Sequence, residues 1–140
     1  MRSVSYVVAV VLALAQSPAS QFAGTWTASL EGKTFARLEL TDAGGKIGGR
    51  ISLGAVHFGP GGDITAVNEP ASNFTPIFDV ALRNGTLTFS RKDGDETDRF
   101  ELRLVNGNAQ LTFVFSEADR AELAAQGVTS LKPTTLIRLR

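Results

Sequence analysis

The chain has 140 residues with 14 Lys+Arg against 14 Asp+Glu, so its formal net charge is zero and no basic excess draws it to a nucleic-acid backbone or an anionic bilayer. It holds no cysteine and one histidine, His57, which excludes disulfides, thiolate catalysis, Cys-ligated zinc and any His-rich metal site. A chain of this length builds one core, not two.

The N-terminus opens with Met1 and Arg2, then runs apolar from Val4 to Ala15, diluted only by Ser5 and Tyr6. A basic start, a short apolar stretch and small residues at a cut site form the pattern of a secretory signal peptide. Both Ala13-Leu14-Ala15 and Ser17-Pro18-Ala19 fit the small-x-small rule. Residues 1–19 are therefore expected to be removed after Ala15 or Ala19, leaving 20–140 as a single domain, secreted or periplasmic. The apolar run is shorter than the ~20 residues of a spanning helix and no second one follows, so no membrane span is expected after cleavage.

From Phe22 onward apolar and polar residues alternate and glycines fall between the runs, which predicts antiparallel strands with one buried face. Asn84-Gly85 as a type I′ turn sets Leu82 opposite Leu87 and Val80 opposite Phe89. Asn106-Gly107 sets Leu104 opposite Ala109, Leu102 opposite Leu111 and Phe100 opposite Phe113. Each pair is apolar on apolar. A four-residue loop at Asp42 to Gly45 sets Leu40 against Ile47, Leu38 against Gly49 and Ala36 against Ile51. A three-residue loop at Glu31, Gly32 and Lys33 opposes Trp26 to Leu38 and Ala28 to Ala36. The strands are expected near 22–30, 34–41, 46–56, 64–67, 77–83, 86–91, 97–105 and 109–116, with a last one through Leu136. Ser116 with acids in the following turn predicts one short helix, which Gly127 ends. Sequential hairpins leave two open edges unless they close on themselves. The expected fold is all-β, an antiparallel eight- or nine-stranded meander barrel with that helix before the last strand; a two-layer sandwich is the alternative.

The segment Phe22-Ala23-Gly24-Thr25-Trp26 carries the Gly-x-Trp that opens the first strand of calycin barrels, the superfamily of lipocalins, fatty-acid-binding proteins and avidins. The chain resembles that superfamily at the two ends of the domain. The resemblance implies a Trp at the closed end of a barrel, covered by an Arg from late in the chain, with Arg138, Arg140 and Arg120 available. It does not extend to biotin: Trp26 is the single tryptophan, and Ala28 and Gly32 stand where avidin-type biotin ligands would.

The inner face is expected to carry Trp26, Leu38, Ile51, Phe78, Val80, Phe89, Phe100, Leu102, Phe113 and Phe115. A barrel of this size is filled by its own side chains or holds one small ligand. The reading adopted is a small apolar or amphipathic ligand, bound without chemistry and without a cofactor or metal, against Trp26, Leu38, Ile51, Phe78, Phe89, Phe100 and Phe113 with Arg138 orienting it. The alternative is a filled barrel acting as a protein-interaction module, such as a protease inhibitor or envelope accessory protein, through loops at Gly59 to Gly62 and Lys92 to Glu96. His57 lacks a nucleophile and an orienting acid, with Ser52 and Asp79 the nearest options, so no catalytic set is expected. The carboxylates from Asp93 to Asp98 read as a solvated turn in place of a calcium loop, because Asp98 occupies the position that needs glycine. Arg37 and Arg50 are expected face to face on the outer wall beside Glu39, a solubilising surface or a docking patch.

Overall fold

The computed structural model describes residues 18–139. The expected signal segment lies outside them, except for Pro18 and Ala19. Pro18–Gln21 forms a single 3-10 turn, and Ala19 in it is buried. Ten strands follow: β1 (Gly24–Leu30), β2 (Lys33–Ala43), β3 (Lys46–Leu53), β4 (Ala55–Phe58), β5 (Ile64–Glu69), β6 (Thr75–Arg83), β7 (Thr86–Asp93), β8 (Glu96–Val105), β9 (Asn108–Val114) and β10 (Thr134–Leu139). One helix, α1 (Glu117–Ala125), precedes β10. Eight strands close into an antiparallel barrel in the order β1-β10-β9-β8-β7-β6-β3-β2, and β4 and β5 pair only with each other. Closure leaves no free sheet edge at β1 or β10, as the meander requires.

The Asn-Gly turns set the registers expected of them, except that Val80 falls in a bulge and is not paired with Phe89. Leu82 opposes Leu87, Leu104 opposes Ala109, Leu102 opposes Leu111 and Phe100 opposes Phe113. Asn84 and Asn106 take φ of 51° and 53°, the positive angles of a type I′ turn. Trp26 opposes Leu38 and Ala28 opposes Ala36, but the connection differs: Leu30 pairs with Lys33 across Glu31-Gly32, and a bulge after Ala28 takes up the extra residue. Both routes give the same pairs beyond the bulge.

Three expectations are corrected. The β2–β3 turn is the two-residue Gly44-Gly45, so Leu40 meets Gly49, Leu38 meets Ile51 and Ala36 meets Leu53. Two glycines side by side reach positive φ at both central positions, which makes the tight turn cheaper than a four-residue loop. The same shift places Glu39, not Arg37, opposite Arg50, and the two form an ion pair at 2.7 Å. Secondly, β6 carries a bulge between Phe78 and Ala81, with Asp79 at φ 52°. One inserted residue reverses the alternation upstream of it, so Phe78 pairs with Ser90 on the outer face and Ile77 takes the inward place. Phe78 is therefore not an inner-wall residue. Thirdly, the strand expected over 46–56 breaks at Gly54, whose N–H donates to the Phe35 carbonyl at 2.7 Å. A Cβ there would collide with the backbone at Glu69 and Pro70, and from Ala55 the chain leaves the wall.

The barrel interior is filled over most of its length. Trp26, Leu38, Ile51, Leu87, Phe89, Phe100, Leu102, Leu111 and Leu136 are all 1% exposed or less. Helix α1 starts from Ser116, whose hydroxyl accepts from the Asp119 N–H at 3.1 Å, and it buries no residue of its own. Its Arg120, Leu123 and Ala124 share a surface groove with Glu101 of β8 and Thr112 and Val114 of β9.

Candidate functional site

The two ends of the barrel are built differently. At the end where β1 begins, Trp26 is sealed in place by one hydrogen bond of its own and by Arg138. Its indole N–H donates to the Phe22 carbonyl at 2.9 Å. The Arg138 guanidinium lies 4.2 Å from its ring centroid, a cation–π contact. The same guanidinium donates to the Gln21 carbonyl at 2.6 Å and to the Ala23 carbonyl. Arg138 stands opposite Trp26 on β10, so strand register alone brings them together. Gly24 is part of the device: a Cβ there would stand 2.6 Å from the Arg138 Nη1. The Gly-x-Trp pair is thus explained locally, the glycine making room for the cation that covers the tryptophan. Of the three arginines the resemblance offered, Arg138 fills the role.

At the opposite end, beyond the Glu31-Gly32 and Gly94-Asp95 turns, lies an open cleft of about 680 Å³. Its walls come from β2, β3, β4, β7, β8, β9 and the start of α1. The apolar part is Phe35, Leu53, Val56, Phe58, Phe113 and Phe115, over Phe100 at the base. The phenylalanines form a ladder from core to mouth. Phe89 stacks on Phe100 at 5.3 Å, Phe100 meets Phe113 edge-on at 5.5 Å, and Phe113 touches Phe115 at 5.9 Å and Phe58 at 6.2 Å. Phe58 reaches this ladder because β4 and β5 fold over the barrel end and contribute Val56, Ile64 and Val67 to the core.

One ion pair points into the cleft. Arg91 is two residues beyond inward-facing Phe89, and Asp98 is two before inward-facing Phe100, so both side chains share the inner face. The Arg91 Nε lies 3.0 Å from the Asp98 Oδ2, a second carboxylate, Asp93, is 4.0 Å away, and the Arg91 side chain is 17% exposed. Its guanidinium stands 6.0 Å above the Phe100 ring. Glu96, Arg99 and Asp119 complete the charged rim.

Of the residues expected to hold a ligand, the cleft gathers Phe100 and Phe113. Trp26 and Arg138 form the floor at the far end, Leu38, Ile51 and Phe89 are packed inside the filled body, and Phe78 faces outward. Arg91, Asp98, Phe35 and Phe58 were missed. Arg91 and Asp98 carried a signal: each continues an inward alternation past the last apolar residue of its strand. Phe58 carried none, since its place depends on a hairpin folding back over the barrel.

His57 is exposed on β4, Ser52 is buried in the barrel wall with no partner for its hydroxyl, and Asp79 is exposed at the β6 bulge, so these three do not assemble. The Gly59 to Gly62 loop is tied down. Its Gly62 carbonyl accepts from the Lys132 N–H at 3.1 Å, and a Cβ on Gly62 would strike Ser130. The Lys92 to Glu96 turn is exposed. No family model matches this chain, and no curated protein and no solved structure matches it. Among the described residues the fold is an eight-stranded closed antiparallel barrel with one short helix, an architecture consistent with a calycin-like barrel.

Proposed function

We propose that this chain is an exported, calycin-like barrel that holds one apolar or amphipathic small molecule in the cleft at its open end and releases it unchanged. The observation that carries the reading is the cleft itself. At about 680 Å³ it lies within the ~300–1,000 Å³ of small-molecule pockets, and it is walled by aromatic rings with a few polar groups at one side. Burial of ligand surface there, at ~25 cal/mol/Å², supplies the affinity. The far end, closed by Trp26 and Arg138, gives the rigid base such a site needs.

N-phenyl-1-naphthylamine, an uncharged dye that brightens in apolar surroundings, tests this. Saturable brightening at one dye per chain is the expected result, weakened several-fold by Phe58→Ala. Linear, non-saturating emission would remove the reading. Trp26 is a poor reporter of such binding, because it lies sealed under Arg138 at the other end. Recovery of the full chain from the periplasm of a Gram-negative host, shortened at its N-terminus, tests the export.

A second reading, the interaction module, draws on exposed Val105, Ile137 and Leu139, which are 37%, 56% and 55% exposed. Ile137 and Leu139 alternate outward on β10, opposite Thr27 and Thr25 of β1. Inhibition of a secreted protease by stoichiometric barrel would favour it over the carrier.

A further inference from the structure

Resting on the carrier reading, we propose that the cleft selects an organic ammonium with an apolar tail over a carboxylate, and that Asp98 is the residue that sets this preference. A lone guanidinium in an apolar cleft would attract carboxylates. Arg91 is not alone. Its Nε is taken by Asp98 at 3.0 Å, and Asp93 stands 4.0 Å from its Nη2. The charge of the guanidinium is thus offset from within the protein before any ligand arrives, with its Nε–H held by Asp98.

The remaining charges tilt the other way. The lining carries Glu96, Asp98 and Asp119 against Arg91 and Arg99, and Arg99 belongs to the outward set of β8, next to inward Phe100. The N-terminus of α1 also faces this end through Ser116, Ala118 and Asp119, but its first turn carries Glu117 and Asp119, which offset the positive end of the helix. The walls supply the second half of the recognition. Phe58, Phe113 and Phe115 line the cleft above Phe100, which is 1% exposed, and an aromatic ring face attracts a cation and repels a carboxylate. Carboxylates at the rim and aromatic faces below are complementary to a positive head on an apolar tail. For a carboxylate head the terms from the rim carboxylates and the rings change sign, and the attraction of Arg91 is offset by Asp98 on its Nε and by Asp93 close by.

Displacement of N-phenyl-1-naphthylamine by decylammonium, decanol and decanoate, all below micelle formation, reads the preference directly. In the unmodified protein decylammonium is expected to displace the dye at about tenfold lower concentration than decanoate, with decanol between them, a ratio suited to a few partly screened charges. Asp98→Asn frees Arg91 and is expected to bring decanoate level with decylammonium or past it. Glu96→Gln, at an exposed position that leaves the Arg91 pair intact, narrows the ratio about threefold without reversing it and serves if Asp98→Asn does not fold. Glu39→Gln on the outer wall leaves the order as it was. Decanoate displacing as well as decylammonium from the unmodified protein overturns the inference while sparing the carrier reading. So does an order unmoved by both Asp98→Asn and Glu96→Gln in folded protein. No dye uptake at all removes the carrier reading, and the selectivity with it.

Discussion

Removing the Arg138 side chain isolates what seals the floor of the barrel. Its guanidinium makes one cation–π contact to Trp26 at 4.2 Å and two hydrogen bonds, to the carbonyls of Gln21 and Ala23. The side chain is partly solvated, so each contribution sits at the low end of its range. The ring contact is worth about 0.5–1 kcal/mol and each hydrogen bond about 1 kcal/mol, since the freed carbonyls regain water. Arg138→Ala is therefore expected to cost about 2–3 kcal/mol, a sizeable part of the ~5–15 kcal/mol that holds a domain of this kind together. In a heat melt that corresponds to a fall of roughly 6–12 °C.

Urea unfolding followed by Trp26 emission measures it, because the chain has one tryptophan and that residue lies in the seal. The native emission of Arg138→Ala should also shift to the red as water reaches the indole face. Arg138→Lys keeps the charge but lacks the planar fork that spans two carbonyls, and it should recover less than half of the loss. Gly24→Ala, which forces a Cβ to within 2.6 Å of the Arg138 Nη1 at a φ of +134°, should reproduce the emission shift with the arginine still present. A loss below about 0.5 kcal/mol in Arg138→Ala, with native emission unmoved, would show that the guanidinium merely rests on the ring.

Three further outcomes are expected. Ser52 is 1% exposed and its hydroxyl has no partner, so Ser52→Ala should stabilise the barrel by about 1 kcal/mol in urea; a destabilised variant would mean that the hydroxyl is satisfied by a buried water. Glu31 sits at φ 52° in the β1–β2 turn, and Glu31→Asn, giving the Asn-Gly of the other hairpins, should add about 0.5–1 kcal/mol, whereas no gain would show that the Glu31 side chain compensates its backbone. Ala19 is 3% exposed and its carbonyl accepts from the Phe22 N–H at 3.1 Å, so cleavage after Ala15 keeps the floor intact while cleavage after Ala19 removes part of it. Mass spectrometry of exported protein should find Gln16 at the N-terminus; a chain starting at Ser20 would count against this.

How far the sequence could be read depended on whether a local rule or a tertiary contact decided each feature. Asn84-Gly85 and Asn106-Gly107 fix register through backbone angles that other residue pairs rarely reach, and every pair derived from them beyond the β6 bulge is present. Gly44-Gly45 was harder, since glycine suits loops of any length. The resulting error of two residues preserved which side chains point inward, because strand alternation has a period of two, yet it exchanged an Arg–Arg pair for the Glu39–Arg50 ion pair. The β6 bulge is the opposite case. A single extra residue at Asp79 moved Phe78 to the outer face, and the sequence offered no glycine there to mark it.

The division between a closed and an open end follows from the connections. At the Trp26 end the strands are joined by Gly44-Gly45, Asn84-Gly85 and Asn106-Gly107, two residues each, so the wall stops level and the 3-10 turn at Pro18–Gln21 suffices to seal it. At the other end two tight turns alternate with two long excursions, the β4–β5 hairpin and the α1 segment. Those excursions rise past the rim and supply Val56, Phe58, Phe115 and Ser116 to walls that the eight barrel strands alone would leave low. The lower part of the cleft is therefore barrel wall, with Phe35, Leu53, Phe100 and Phe113, and its upper part is made by residues that contribute little to closing the barrel. Changes at Phe58 or Phe115 should alter what the cleft accepts with small effects on unfolding, whereas changes at Trp26, Gly24 or Arg138 should alter unfolding and leave the cleft's preference as it was.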